Sequence, residues 1–301
     1  MLGPFNKPAN SARPARNKPQ AFSADGLKGN NESPRPGRAS DARARRGFRQ
    51  RPLVGSIAAK VHASVVLSIV VPVFNERDNI GWLVDEIAAA LRGRFEFEII
   101  YVDDGSGDDS LAMLKSAKNA VPELRVLHHV ARSGQSTAIR TGVKAARADW
   151  VVTLDGDGQN DPADIPKLLV ARDAATADTK LFAGWRVHRQ DTAGKRWASR
   201  WANAIRSRLL RDATPDTGCG IKLFERKAFL ELPYFDHMHR YLPALMQRAG
   251  WKTLSIPVNH RSRSAGISKY DNLNRALVGI RDLRGVAWLI QRSKTTPVEE
   301  L

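Results

Sequence analysis

Trp150-Val151-Val152-Thr153-Leu154-Asp155-Gly156-Asp157-Gly158-Gln159 is an apolar run that stops abruptly on alternating glycine and oxygen-bearing side chains, before Asn160-Asp161-Pro162. In an extended segment residues i and i+2 point the same way, so Asp155, Asp157 and Gln159 present carboxylate, carboxylate and amide together at a strand's end. That set suits a hard divalent cation. Mg2+ is usually held by one or two carboxylates and completed by the phosphates of a substrate. Asp and Gly also favour turns, so a polar turn would use the same residues.

The surroundings separate these readings. Upstream, residues 66–74 form a continuous run rich in β-branched residues, as expected of a buried parallel strand. Residues 79–91 repeat apolar side chains at helical spacing. Residues 97–102 read as a second strand ending in Asp103-Asp104-Gly105-Ser106, then 110–118 as helix, 124–129 as strand and 136–146 as helix. This alternation predicts an α/β fold, a parallel sheet with helices on both faces. Ligands bind such sheets beyond the carboxyl ends of the strands. Pro72 to Glu76, Asp103 to Ser106 and Asp155 to Gln159 each follow a strand directly, so three loops converge on one crevice and a chance turn becomes the weaker reading.

The second half is less regular and more basic. It offers a strand at 180–183 ending on Gly184-Trp185-Arg186, and a cationic helix at 195–210 with apolar positions Trp197, Trp201, Ile205 and Leu209. Gly218-Cys219-Gly220, a strand near 221–224, a helix over 241–249 and a strand near 254–258 follow.

The 301 residues carry a formal charge of +17, placed unevenly: residues 1–60 hold 13 Lys/Arg against 3 Asp/Glu, and seven of the 16 prolines precede residue 53. Residues 1–62 are therefore expected to be a disordered basic tail, 63–272 the folded domain, and 273–301 an amphipathic C-terminal helix and tail. Basic clusters such as Arg43-Ala44-Arg45-Arg46 suit an anionic membrane surface, at up to about 1 kcal/mol per residue close to it. They suit nucleic acid equally, but the domain shows no nucleic-acid module, so no nucleic-acid partner is expected. The tail lacks a signal-peptide core and no apolar run reaches about 18 residues, which predicts a peripheral protein at the cytoplasmic face of the inner or plasma membrane. Residues 276–290, interrupted by Arg281, Asp282 and Arg284, read as a helix that lies on a membrane or packs on the core. A lone cysteine, Cys219, excludes an intramolecular disulfide and reads as a small packed residue.

In order, Val71-Pro72-Val73-Phe74-Asn75-Glu76, Val102-Asp103-Asp104-Gly105-Ser106, Asp155-Gly156-Asp157-Gly158-Gln159 and Arg263-Ser264-Ala265-Gly266-Ile267-Ser268-Lys269-Tyr270 resemble glycosyltransferase family 2. The last element is similar to the polyprenyl-phosphate branch, which includes dolichol-phosphate mannose synthase-like and undecaprenyl-phosphate aminoarabinose transferase-like enzymes. The resemblance covers about residues 66–292. It implies a GT-A fold, Rossmann-like with a mostly parallel sheet, a nucleotide-sugar donor, Mg2+ or Mn2+, and inverting transfer to a polyprenyl phosphate in building or modifying cell-envelope glycans or lipopolysaccharide. Pro72, Phe74, Glu76, Tyr101 and Asp103 would line the nucleotide pocket; Asp155 and Gly156 would approach the donor; Asp157 and Gln159 would hold the metal. Asp155, Asp157, Arg186, Arg263 and Lys269 form the implied catalytic set, with Asp157 and Arg186 also on the donor.

Cations near a leaving diphosphate stabilise its developing charge, and a lipid phosphate is already anionic, so it needs alignment more than a strong base. Arg200 and Asn203, at i and i+3 on one helical face, would receive the acceptor phosphate with Arg263 and Lys269; a solvated or packing face is the alternative. Glu76 or Asn75 can instead cap the helix that follows, and Asp104 can simply bond its own turn. His128 and His129 have no carboxylate or Cys neighbours at ligand spacing, which argues against a metal there. Asp216-Thr217-Gly218-Cys219-Gly220 departs from the dolichol type and favours a UDP-sugar over GDP-mannose. Many relatives continue into membrane-spanning helices, so membrane contact here would fall to the amphipathic segment, the tail or a membrane partner.

Overall fold

The computed structural model describes residues 65–187, 205–212, 214–262, 272–294 and 299. The expected tail at 1–62, most of the 195–210 helix, and Arg200, Asn203, Arg263 and Lys269 lie outside the described residues.

Seven strands form one sheet: β1 (Leu67–Val73), β2 (Phe97–Asp103), β3 (Leu124–His128), β4 (Trp150–Thr153), β5 (Thr179–Arg186), β6 (Lys222–Glu225) and β7 (Lys252–Val258), in the order β3-β2-β1-β4-β6-β5-β7. β1 is parallel to β2 and β4, β2 to β3, and β5 to β7. β6 is antiparallel to both β4 and β5, so the sheet is mostly rather than wholly parallel. The chain enters β6 from the edge where β5 ends, and must run back along the sheet.

β2 is buried at every position and β1 at all but one, which explains their mostly apolar sequences; the polar exceptions are buried and partnered, Ser68 Oγ donating to Glu98 Oε1 at 2.7 Å. Helices α1 (Arg77–Leu91), α2 (Ser110–Ala120) and α4 (Ile165–Asp173) cover one face, where Leu83, Ile87, Leu114 and Leu168 meet Val71 and Leu223. Helices α3 (Gln135–Ala145), α5 (Arg226–Leu230), α6 (Leu242–Arg248) and α7 (Asn272–Gln291) cover the other, where Ile139, Phe229, Leu245 and Val286 meet Val70 and Phe224. Each such side chain contributes about 1.5–3 kcal/mol by leaving water.

From β1 the chain steps outward through β2 to β3, then returns to place β4 on the other side of β1. The order reverses at β1/β4, and a crevice opens beyond their carboxyl ends. The amphipathic C-terminal segment packs inward through Val286 and Ala287, with Tyr241 Oη donating to Gly279 O at 3.3 Å, while Ile280 and Trp288 stay exposed. Residues 205–210 are helical with Ile205 and Leu209 outward. Arg206 points inward and donates to Asp212 Oδ1 and Thr214 O, both at 2.6 Å. Among the described residues no helix is long and apolar enough to cross a membrane.

Candidate active site

The three polar loops meet as expected, and they bond to one another. After β1, Asn75 takes a left-handed φ of 53°. Its N–H donates to Ser106 Oγ at 2.9 Å and its Oδ1 accepts Gly107 N–H at 2.8 Å, which ties the β1 loop to the β2 loop. Asn75 therefore does not cap α1. Glu76 occupies the N-cap position, and its Oε2 accepts Asn79 Nδ2 at 2.8 Å.

Asp103 and Asp104 divide their work. Asp103 is fully buried, accepts Ser106 N–H at 3.2 Å and lies 2.7 Å from His128 Nδ1. Asp104 accepts the N–H groups of Ser133 at 2.9 Å and Gly134 at 2.8 Å, and lies 2.8 Å from His129 Nδ1. It anchors the start of α3 rather than bonding its own turn. Both histidines thus have carboxylate partners, 25 residues away in sequence, yet among the described residues no three His, Cys, Asp or Glu side chains gather as a metal cage.

At the end of β4, Asp155 N–H donates to Asn160 Oδ1 at 3.0 Å and its Oδ1 accepts Gln135 Nε2 at 2.9 Å. Burial, and then the nearby Asp157 carboxylate, push the Asp155 carboxyl up to about 6, against the pull of Lys222 and Arg186. Asp157 accepts Gln159 N–H at 3.1 Å. At Gly156 the backbone crosses the end of β1: a Cβ there would sit 2.5 Å from Val73 Cγ1 and 3.0 Å from Pro72 O. Two neighbouring carboxylates with an amide beside them are hard-oxygen donors, too few to cage an ion and enough to share one with phosphates.

These loops open on a cavity of about 590 Å3. Pro72, Phe74 and Glu76 line it on one side, and Asp155, Gly156, Asp157 and Gln159 along its edge. Three other expected residues do not line it. Tyr101 is fully buried in the core, its hydroxyl without a partner among the described residues and its phenol pushed up by burial. Asp103 lies beneath the loop. Arg186 makes a two-pronged pair with Asp216, Nε to Oδ2 at 2.6 Å and Nη2 to Oδ1 at 2.9 Å.

The sequence did not single out a further part of the lining, a wall of Thr217 to Gly220, Lys222, His239, Arg240 and Leu242, which carries Lys222, His239 and Arg240 and no carboxylate. Lys222 was detectable as a charge inside the apolar strand Ile221-Lys222-Leu223-Phe224. Arg132 was not; its guanidinium stacks 4.2 Å from the Phe74 ring centroid only through the fold.

The family model for Glycosyl transferase family 2 matches residues 68–232. The chain is 34% identical over 248 residues to a dodecaprenyl-phosphate galacturonate synthase of Rhizobium johnstonii, covering 78% of this chain and 70% of that protein. It is 36% identical over 206 residues to an undecaprenyl-phosphate 4-deoxy-4-formamido-L-arabinose transferase of Sodalis glossinidius, covering 68% of this chain and 62% of that one. Among solved structures it resembles glucosyl-3-phosphoglycerate synthase from Mycobacterium tuberculosis in complex with Mn2+, UDP and glucosyl-3-phosphoglycerate, with a TM-score of 0.59, 19% identity, and coverage of 78% of this chain and 82% of that one. A mannosyltransferase from Pyrobaculum calidifontis in complex with GDP-Man and Mn2+ gives a TM-score of 0.58 at 18% identity, with 77% of this chain and 65% of that one covered. These likenesses bear out the expected fold.

Proposed function

The chain belongs to glycosyltransferase family 2, and from that premise we propose that it moves a single sugar, with inversion, from a nucleotide-sugar donor to a polyprenyl phosphate. The observation that carries this reading is the mixed charge of the cavity lining: a carboxylate-bearing edge at Asp155 to Gln159, and beside it a wall that carries Lys222, His239 and Arg240 and no carboxylate. The first suits a cation and the diphosphate it neutralises, the second an anionic acceptor. Transfer to a hydroxyl would call for a carboxylate base on that second wall. The dodecaprenyl- and undecaprenyl-phosphate relatives support the same assignment.

Asp157 and Gln159 would hold Mg2+ or Mn2+, which when bound offsets charge developing on the leaving diphosphate. Pro72, Phe74 and Glu76 would hold the nucleoside, and Gly156 lets the backbone come close to it. Asp155, oriented by Gln135, would orient the donor sugar; Arg186, paired with Asp216, lends its charge from behind. Arg200, Asn203, Arg263 and Lys269 remain proposed partners of the acceptor phosphate. The exposed Ile280 and Trp288 on α7, with Arg292 just past its end, support peripheral contact with the cytoplasmic face of a membrane, where the acceptor resides.

The test offers labelled UDP- and GDP-sugars to membranes containing the protein and undecaprenyl phosphate, with and without EDTA. Label from one donor should enter the lipid fraction, disappear with chelator, and disappear in Asp157→Asn. Metal-dependent transfer that survives Asp157→Asn would remove Asp157 from the metal site.

A further inference from the structure

Residues 234–241 join the amphipathic helix α7 to the cavity. On the side of the site, Tyr234 Oη lies 2.6 Å from Thr137 Oγ1 and His239 Nδ1 lies 2.7 Å from Ser136 Oγ. The segment thereby grips the first turn of α3, where Gln135 reaches Asp155. The turn Met238–Arg240 brings His239 and Arg240 into the lining. On the side of α7, Tyr241 Oη donates to Gly279 O and His237 Nδ1 lies 3.0 Å from Asp282 Oδ2. An ionised carboxylate only accepts, so this imidazole nitrogen carries the hydrogen.

His237 has a left-handed φ of 64°, which costs energy in any residue with a Cβ. Such backbone persists only where its surroundings over-determine it. Here the His237 N–H donates to Asp236 Oδ1 at 2.8 Å, its carbonyl accepts Arg240 N–H at 3.1 Å, and its ring is held by Asp282. Asp282 is the one acidic residue of α7. Arg281 and Arg284 on either side of it are exposed, whereas the Asp282 side chain is 18% exposed. The helix thus turns its single carboxylate toward the body of the protein. Packing alone does not call for it, because Val286 and Ala287 bury the next turn of α7.

We infer that Asp282 and His237 are positioning residues. Through one hydrogen bond they fix the approach of the turn Met238–Arg240 to the cavity, so the helix proposed to meet the membrane also sets the wall proposed to receive the acceptor. Neither side chain is among those that line the cavity, and both act through the turn that follows His237. The effect on lipid transfer rests on the reading of the acceptor as a polyprenyl phosphate; the link between α7 and the turn does not.

The test is a double-mutant cycle on the purified full chain with Asp282→Ala and His237→Gly, labelled donor and undecaprenyl phosphate. Glycine takes a left-handed φ without steric cost, so His237→Gly removes the ring and keeps the bend. Each single variant should raise KM for the acceptor roughly tenfold, the value of a hydrogen bond to a charged group, and leave donor KM within about twofold. The double variant should be no worse than either single, because both break the same bond. Asp282→Glu, which keeps the carboxylate, should recover most of the loss. Hydrogen exchange of the amides of residues 238–242 should quicken roughly tenfold in both single variants, a readout that needs no acceptor. Should Asp282→Ala fail to fold, Asp282→Asn takes its place in the cycle. Additive losses, an unchanged acceptor KM or unaltered exchange would overturn the inference, as would equal rises in donor and acceptor KM, the mark of a merely structural role. Wild-type protein that transfers only to a different acceptor would refute the lipid-phosphate reading; quickened exchange and a raised KM for that acceptor in the variants would still uphold the link.

Discussion

Gly220→Ala tests whether the loop before β6 and the loop after β4 meet as closely as the structure shows. The new Cβ would fall 2.2 Å from Asp155 Oδ2, 2.3 Å from its Cγ and 2.5 Å from Asn160 Oδ1. Asp155 cannot swing away freely. Its N–H is bonded to Asn160 Oδ1 at 3.0 Å and its Oδ1 to Gln135 at 2.9 Å. Relief therefore requires a shift of packed backbone, at about 1–3 kcal/mol, or loss of the Asp155–Asn160 bond, stranding a part-buried donor at about 1–3 kcal/mol more. With both we expect about 2–6 kcal/mol in all, a fall in Tm of roughly 4–24 °C for a domain of this size. Displacing Asp155 by about 1 Å should also cut transfer about 100-fold. Gly81→Ala is the control: it lies within α1 with nothing within 4 Å of the added Cβ, so Ala should stabilise by about 0.5–1 kcal/mol. Thermal melts and the labelled-sugar assay read both variants. A Gly220→Ala protein that melts with wild type and transfers sugar at full rate would refute the packing argument.

Arg261 straps the loop proposed to hold the metal: its backbone N–H donates to Gln159 O at 3.0 Å, and its side chain reaches Asp161 Oδ1 through Nη2 and Glu86 Oε2 through Nη1, both at 2.7 Å. Because its side chain is 36% exposed and so partly screened, Arg261→Ala should cost only about 1–2 kcal/mol in melts. It should raise the Mg2+ concentration needed for half-maximal transfer several-fold, and an unaltered metal titration would show that the strap has no hold on Gln159. His239 supplies a pH signature. Its folded-state pKa is depressed, so the unfolded chain takes up the extra proton; the contribution is complete above about 6.5 and is lost as pH falls below it. His239→Gln should flatten the acid limb of Tm against pH, and parallel curves for the two proteins would contradict the buried neutral imidazole.

Much of the first half was legible because local and long-range demands coincide there. β1 and β2 are buried on both faces, so their sequences are mostly apolar, and the polar clusters that follow mark where the chain leaves the sheet. The Asp155 to Gln159 loop was readable for the same reason. β6 was found as a strand, but its antiparallel direction depends on where β5 ends, which no local pattern records. The roles of Asp103 and Asp104 were hidden because their partners, His128, His129 and the start of α3, come from other segments. Tyr101 illustrates the converse: it stands two residues before Asp103 on the same strand face, yet that face at that height is core, so the phenol is enclosed. Lys222 and Arg240 come from separate elements, a strand and a turn, and only folding puts them on one wall.

The most direct measurement of the central claim offers the protein one labelled donor, the divalent cation, and either undecaprenyl phosphate or undecaprenol. Label should enter the lipid fraction with the phosphate alone, in a product whose sugar is joined through phosphate with inverted anomeric configuration. Label entering undecaprenol, or appearing only in a glycan, would contradict the account.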